Sequence, residues 1–328
     1  MINSFIRKLK TAGSLIISEP KPIKVLGNKI QKNIKEFTVK IAQKIFIYET
    51  KLGFKFVCIP QSPTSVYLYS DDAQYEEIEI KIASDWLNQG DVALDIGANV
   101  GYLSALFASR VNSLGKVISV EASPETFKHL EKTVQVLSLN QIYLENSCVT
   151  DTEGFVEFMV ACDQSSWFGD VSQSLKINPQ EEKLYKKERV KAVTIDSLIN
   201  KYGLNNEISL VKIDIEGAEP LALKGASLLF TQENLPLFII EVNRVTLANF
   251  DFDPTEILKF FSIELFDLYH IQRSTPDLTP TFQHGTLYSL PNPQKHNWPL
   301  FSNLIAIPKV GKYTSRRKQV EVYLPSIH

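Results

Sequence analysis

Three acidic residues stand at the ends of short apolar runs: Asp95 in Val92–Ile96, Glu121 after Val120, and Asp214 after Leu210–Ile213. A strand-end carboxylate can accept hydrogen bonds from vicinal hydroxyls, pair with a cation, or take up a proton. Glu121 lies 20 residues beyond Gly101, the spacing of an acid that accepts from both hydroxyls of a ribose. Strand alternation sends Asp214 and Glu216 to one side and Ile213 and Ile215 to the other. An acid closing a buried strand is costly without a partner, so Asp214 is expected to have one. Asp214, Glu216 and Glu241, each at or just past a strand end, are the candidate general bases. Asp214 serves equally well as partner to a cationic group, and Glu241 equally well as a loop anchor.

The elements that must position these acids alternate regularly. The strand Val92–Ile96 leads through a glycine-containing turn into the helix Tyr102–Ser109. Next come the strand Lys116–Val120 and the helix Pro124–Leu139, with Ser123 as N-cap and Pro124 at the first helical position. Strands follow at Ile142–Leu144, Phe155–Val160 and Val190–Thr194, the last leading to a helix with Asp196 as N-cap. Leu210–Ile213 and Leu237–Val242 are strands around a helix that starts near Glu219-Pro220. Nearly unbroken apolar strands alternating with helices predict a parallel sheet covered on both faces. Ligands then bind outside the carboxyl ends of its strands. Before this core, Lys44–Glu49 and Phe54–Ile59 read as a hairpin and Glu76–Asn88 as a helix. After it, Ile263–Tyr269 and Asn303–Pro308 read as the last strands. The loop between them holds five prolines and reads as a lid or binding loop.

The loop Asp95-Ile96-Gly97-Ala98-Asn99-Val100-Gly101 decides between cofactor classes. Small residues let backbone approach a ligand, and Asn tolerates positive φ better than most. The helix start behind it offers N–H groups to an anion. Dinucleotide loops want a second glycine where Asn99 stands. A Gly-x-x-x-Gly loop with an acid two residues before its first glycine fits instead the loop that holds the amino-acid part of S-adenosylmethionine. The ribose acid does not discriminate, so on these residues an NAD(P)-dependent oxidoreductase stays open as an alternative.

Four segments together resemble the FkbM family of S-adenosylmethionine-dependent methyltransferases: Asp95–Gly101, Val120–Pro124, Thr194–Leu198 and Lys212–Glu219. Ile213-Asp214-Ile215-Glu216-Gly217-Ala218-Glu219 is the most specific of them. The resemblance spans roughly residues 75–245. It implies an α/β class I methyltransferase (Rossmann-like) fold with a mostly parallel seven-stranded sheet and helices on both faces. It also implies S-adenosyl-L-methionine as cofactor and an O-methyltransferase acting on a hydroxyl of a small or carrier-bound metabolite or a sugar. Carried over residue by residue, the cofactor contacts are Asp95, Gly97, Ala98, Asn99, Gly101, Glu121, Ala122 and Asp214. Ser147 and Cys148 join them beside the adenine. The family often has alanine at the position of Cys148, and a small thiol is compatible with that place. Amino-methylating enzymes of this fold often carry a Pro-Pro-aromatic turn where this chain has Glu216-Gly217-Ala218, which favours oxygen as acceptor.

Composition bounds the rest. The 328 residues are 44 % hydrophobic and 22 % charged with a net charge of −2, which excludes disorder and gives no pull toward nucleic acid. Three cysteines, Cys58, Cys148 and Cys162, read as reduced, buried thiols. The apolar runs are too short to span a bilayer, and the expected location is cytoplasmic. The five histidines form no ligand-spaced group, so no metal is expected; a hard cation linking Asp214 and Glu216 is the one arrangement left open. His270 is the one histidine worth testing as a base. Residues 1–60 carry a net charge of +9 and the remainder −11. They read as a basic helical arm plus the hairpin, with residues 61–328 as the methyltransferase domain. Ile30, Ile34, Phe37 and Ile41 give the arm an apolar stripe. The stripe either packs on the main body or helps the arm contact a membrane surface or acidic carrier, and a non-catalytic module using the arm is a further alternative. Tyr67, Tyr69, Tyr75, Trp167 and Phe168 are candidates for a substrate wall.

Overall fold

The computed structural model describes residues 35–36, 39, 43–71, 76–162, 173–177, 179–272, 286–290 and 297–323. Its hairpin consists of β1 (Phe46–Glu49) and β2 (Lys55–Cys58). The main sheet takes β3 (Val92–Ile96), β4 (Lys116–Glu121), β5 (Ile142–Asn146), β10 (Ile208–Ile213), β11 (Leu237–Asn243), β12 (Phe266–Gln272), β13 (Thr286–Ser289) and β14 (Phe301–Pro308). Between β5 and β10 the chain forms β6 (Cys148–Val149), β7 (Gly154–Ala161), β8 (Gln173–Ser174) and β9 (Tyr185–Val193).

Across the main sheet the order is β13-β12-β14-β11-β10-β3-β4-β5. From β5 to β11 all neighbours run parallel, while β14 is antiparallel to both β11 and β12. The seven strands from β5 to β12 are the expected sheet. The eighth, β13, pairs antiparallel with β12 and lies inside the segment read as one long proline loop. Prolines flanking Thr286–Ser289 masked a strand only 4 residues long. A separate four-stranded sheet, β6-β9-β7-β8, packs beside the main one. Its strands Phe155–Val160 and Val190–Thr194 were legible, but their pairing away from the main sheet was not.

Both faces of the main sheet are apolar, as burial of parallel strands requires. On one face, Val92, Leu94, Ile96, Val211, Ile213, Phe238 and Ile240 join one core cluster; on the other, Ala93, Leu210 and Ile239 join a second. The hairpin belongs to the second core: Phe54 and Phe56 set their rings 5.1 and 4.9 Å from that of Tyr102, at the start of the helix Tyr102–Val111. Ser62 caps a helix over Pro63–Asp71 through its Oγ and the Ser65 N–H. Tyr69 in that helix is 1 % exposed and packs edge-on against Phe46 and Tyr48, so it is core and no substrate wall. Tyr75, Trp167 and Phe168 lie outside the described residues, as do Ile30, Ile34, Phe37 and Ile41 of the arm's stripe. Where the arm is described, Val39 is buried and Lys35 Nζ donates to the Tyr69 carbonyl at 3.2 Å. Among the described residues no helix is long and apolar enough to cross a membrane.

Side-chain caps explain several helix starts. Ser123 accepts from the Thr126 N–H ahead of Pro124, as expected. Asp196 is not an N-cap: Thr194 takes that place in a capping box with Ser197. The Asp196 carboxylate instead receives the N–H groups of Ser227 and Leu228, at the next helix start but one. Cys162 is exposed, unlike Cys58 and Cys148, because it follows β7 at a sheet end.

The C-terminal turns are fastened by ion pairs. Arg316 grips Asp91 with both Nη atoms and donates to the Trp86 carbonyl at 3.0 Å. Asp267 lies between Arg317 and Lys309, the latter 3.0 Å away. Partial burial pushes the Asp267 carboxyl up, but the two cations more than offset this and hold it below its ordinary 3.8. A pKa lower in the folded than the unfolded state gives stability that is present above the unfolded value and lost as pH falls through the folded one. The urea midpoint of the natural protein should therefore drop more between about pH 5 and pH 2.5 than that of Asp267→Asn. Parallel curves would show that the pairs contribute nothing.

Candidate active site

β10, β3 and β4 lie side by side and carry Asp214, Asp95 and Glu121 at their carboxyl ends. The chain crosses from β3 to β4 on one side and, much later, returns through β10 on the other. This is the switch-point crevice of an open α/β sheet. The loop over it bends through left-handed backbone at Gly97, Asn99 and Gly101, with φ of 80°, 50° and 87°. That is the reason for this glycine–asparagine pattern.

The loop's amides are bonded within the protein. The Gly97 and Ala98 N–H groups both donate to the Val120 carbonyl, that of Gly101 to the Ala98 carbonyl, and that of Asn99 to Glu121 Oε2 at 2.9 Å. Glu121 Oε1 accepts from the Ser123 N–H, also at 2.9 Å. One carboxylate thus ties together the loop and the next helix start. Ser147 donates its N–H to the Glu121 carbonyl, and the Asn146 amide bonds the carbonyls of Glu121 and Ala122. Ala122 packs on a small apolar cluster with Cys148, Phe158, Val160 and Val190. A strand-end carboxylate beside an apolar wall is the chemistry that a ribose and its base would meet. The Cys148 thiol is pushed up to about 12, first by burial and then by Glu121, so it stays protonated.

Gly97 is needed for a reason other than ligand approach. A Cβ there would stand 1.8 Å from the Asp214 carbonyl oxygen. The β3 loop therefore rests directly on the β10 loop. Gly97→Ala combines that overlap with a left-handed φ, and should cost about 2–5 kcal/mol of stability. Urea unfolding measures it; a loss below about 1 kcal/mol would show that the two loops are not in contact.

Asp95 does not reach the crevice. It is fully buried, accepts from Ser104 Oγ at 2.5 Å, and has Lys212 Nζ 3.9 Å from its other oxygen. Ser119 Oγ donates in turn to Ser104 Oγ at 2.8 Å. Asp95 is thus a buttress beneath the loop. Lys212 also reaches Asp214 Oδ2 at 3.2 Å and the Gly97 carbonyl at 3.0 Å, so one ammonium joins both acids and the loop. Burial pulls the Lys212 ammonium down, but Asp214 and Asp95 outweigh it and hold it charged. Burial likewise raises Asp95, partly countered by Lys212. A lysine inside the apolar run Ile208–Ile213 was the one sequence signal for this bridge.

Asp214, Glu216 and Glu241 do come together: one carboxylate oxygen of each lies within 4.8 Å of those of the other two. Glu216 adopts a left-handed φ of 54°, which turns the chain sharply after Asp214. Glu219 holds that turn. It is fully buried, and its Oε1 accepts the N–H groups of Ile215 at 2.9 Å and Gly217 at 3.2 Å. Helix-dipole reasoning on Glu219-Pro220 does not reveal this clamp. Burial, opposed by the Ile215 N–H and reinforced by Asp214, pushes the Glu219 carboxyl up to about 7. Glu216 and Glu241 are raised well above the usual carboxylate range, first by burial and then by Asp214 and their other acidic neighbours. His270 is not part of this group: it lies on β12, two strands out from β11, with its Nδ1 toward Ser302 Oγ.

Fold and crevice together define a class I methyltransferase fold, with Glu121 and Asp214 at the carboxyl ends of its central strands. The methyltransferase FkbM domain matches residues 95–268. The chain belongs to the FkbM methyltransferase family, which implies S-adenosylmethionine as methyl donor. Protein-L-isoaspartate O-methyltransferase 2 of Arabidopsis thaliana is 32 % identical over 83 residues, covering 24 % of this chain and 27 % of that protein. The chain thus aligns with about a quarter of that curated relative's length. Among solved structures, methyltransferase FkbM from Methylobacillus flagellatus KT aligns with 62 % of this chain and 44 % of its own, at 16 % identity and a TM-score of 0.39. A SAM-dependent O-methyltransferase from Thermotoga maritima aligns over 81 % and 78 %, at 13 % identity and a TM-score of 0.37.

Proposed function

We propose that the chain is an O-methyltransferase that uses S-adenosylmethionine on a hydroxyl of a small or carrier-bound metabolite or of a sugar. The observation that carries this reading is the convergence of Glu121, the Gly97–Gly101 loop and Asp214 around one crevice, knitted by Lys212. When bound, the donor supplies a methyl carbon made electrophilic by its sulfonium. Glu121 accepts from the ribose hydroxyls, and Ala122, Ser147 and Cys148 border the base. Asp214, fixed by Lys212, faces the positive end of the donor. Alignment of acceptor and methyl group is the larger share of catalysis, about 7–11 kcal/mol in favourable intramolecular cases. Removal of the hydroxyl proton contributes a further factor of about 10²–10⁴, and Asp214, Glu216 and Glu241 are the groups at the rim that handle it. The arm at residues 1–60 supplies a contact to an acidic carrier or membrane surface in this reading.

Calorimetry with S-adenosylhomocysteine tests the cofactor half, and methyl transfer to a panel of hydroxylated sugars and carrier-bound acids tests the acceptor half. A folded protein that is stabilised by NADH and ignores S-adenosylhomocysteine would replace this reading with the oxidoreductase one.

A further inference from the structure

The turn after β10 is held by a hydroxyl from the separate four-stranded sheet, which the proposed mechanism leaves unused. Ser174, on β8, is 5 % exposed, and its Oγ donates to the Glu216 carbonyl at 2.9 Å. The same Oγ accepts the Lys176 backbone N–H at 3.3 Å. We propose that Ser174 is a positioning residue: its hydroxyl latches residues 174–176 as a strap over the donor crevice, and the donor enters and leaves when that latch is open. The inference rests on the methyltransferase reading for the identity of what passes, though not for the latch itself.

The strap touches both walls of the crevice. Ser174 holds the turn that carries Asp214 and Glu216, where a backbone carbonyl needs a donor, and the hydroxyl supplies it. Its neighbour Leu175 packs on the cluster of Cys148, Phe158, Val160 and Val190 that also takes Ala122. Consecutive Cα atoms are about 3.8 Å apart, so two adjacent side chains bridge the acidic turn and the apolar wall. Beyond them, the Lys176 ammonium lies 5.4 Å from the centre of the Phe250 ring, in the segment after the helix Arg244–Ala248. Among the described residues these attachments are light for a segment that joins two walls of a site. β8 pairs with β7 through Met159–Ser174 and Val160–Gln173 alone, and Lys176 is exposed. A segment held by so little opens at far less cost than the whole fold. The Ser174 hydroxyl is therefore a large share of what keeps the strap down.

Ser174→Ala removes the latch and leaves the backbone in place. In hydrogen exchange on the full chain, the amides of residues 174–177 should exchange about three- to tenfold faster, the worth of one neutral hydrogen bond. Those of 208–213, in the core of the sheet, should not change. S-adenosylhomocysteine passed over the immobilised full chain should then bind and dissociate faster by a similar factor, with its affinity nearly unchanged, because a gate scales both rates alike. A hydroxyl that merely supports the site would raise dissociation alone. That result overturns the proposal, as do unchanged rates or unchanged exchange over 174–177. A folded natural protein that ignores S-adenosylhomocysteine removes the methyltransferase reading, and the exchange measurement then decides the latch by itself.

Discussion

Lys212→Met should destabilise the protein by about 3–5 kcal/mol, the usual loss when one member of a buried ion pair is deleted. The methionine fills a similar volume, so packing is nearly conserved and the loss is electrostatic. It leaves Asp95, which is fully buried, facing Asp214 with no positive charge between them. It also removes the bond to the Gly97 carbonyl that fixes the loop. Urea unfolding of the two proteins measures the difference. The double variant Asp95→Asn, Lys212→Met should recover part of it, since the stranded charge is then gone. A single-variant loss below about 1 kcal/mol would mean that the ammonium is solvated and holds nothing. Lys212→Arg is not a neutral exchange, because the planar fork does not fit a position built for a compact ammonium.

Glu121→Gln should weaken S-adenosylhomocysteine binding by about 100-fold with little change in stability. Bonds from hydroxyls to a charged acceptor contribute about 1.5–3 kcal/mol each, and each 1.4 kcal/mol is tenfold in affinity. The glutamine keeps one amide oxygen for the Asn99 or Ser123 N–H, so the fold is largely preserved. The nucleoside loses the charge that both of its hydroxyls would share. Calorimetry and urea unfolding must be read together: equal losses in both would mean that Glu121 serves only the loop. An affinity within threefold of the natural protein would place the ribose elsewhere.

Much of this was legible because the strands are nearly pure apolar runs and the acids interrupt them. Val92–Ile96 and Leu237–Val242 announce buried parallel strands, and Ser123-Pro124 announces a helix start through local chemistry alone. Glu121 followed from spacing, and the left-handed Asn99 from the missing glycine. What escaped depends on distant partners. Nothing local tells Asp95 from an outward-facing acid; its burial follows from Ser104, Ser119 and Lys212, which come from three other elements. The Val120 carbonyl that takes two of the loop's amides is likewise remote in sequence. Asp196 has the residue type of an N-cap, but the Thr194–Ser197 capping box takes that role and leaves Asp196 to Ser227. The grouping of Glu241 with Asp214 and Glu216 needs β11 beside β10, a fact of topology.

Glu216 sits in a backbone conformation that glycine adopts more easily than glutamate, with Gly217 immediately after it also at positive φ, 98°. A side chain in that region stores about 1–3 kcal/mol, so Glu216→Gly would relax the chain. A glycine there would keep the turn, since the Glu219 clamp bonds backbone amides only. Position 216 therefore carries backbone strain that the turn itself does not require.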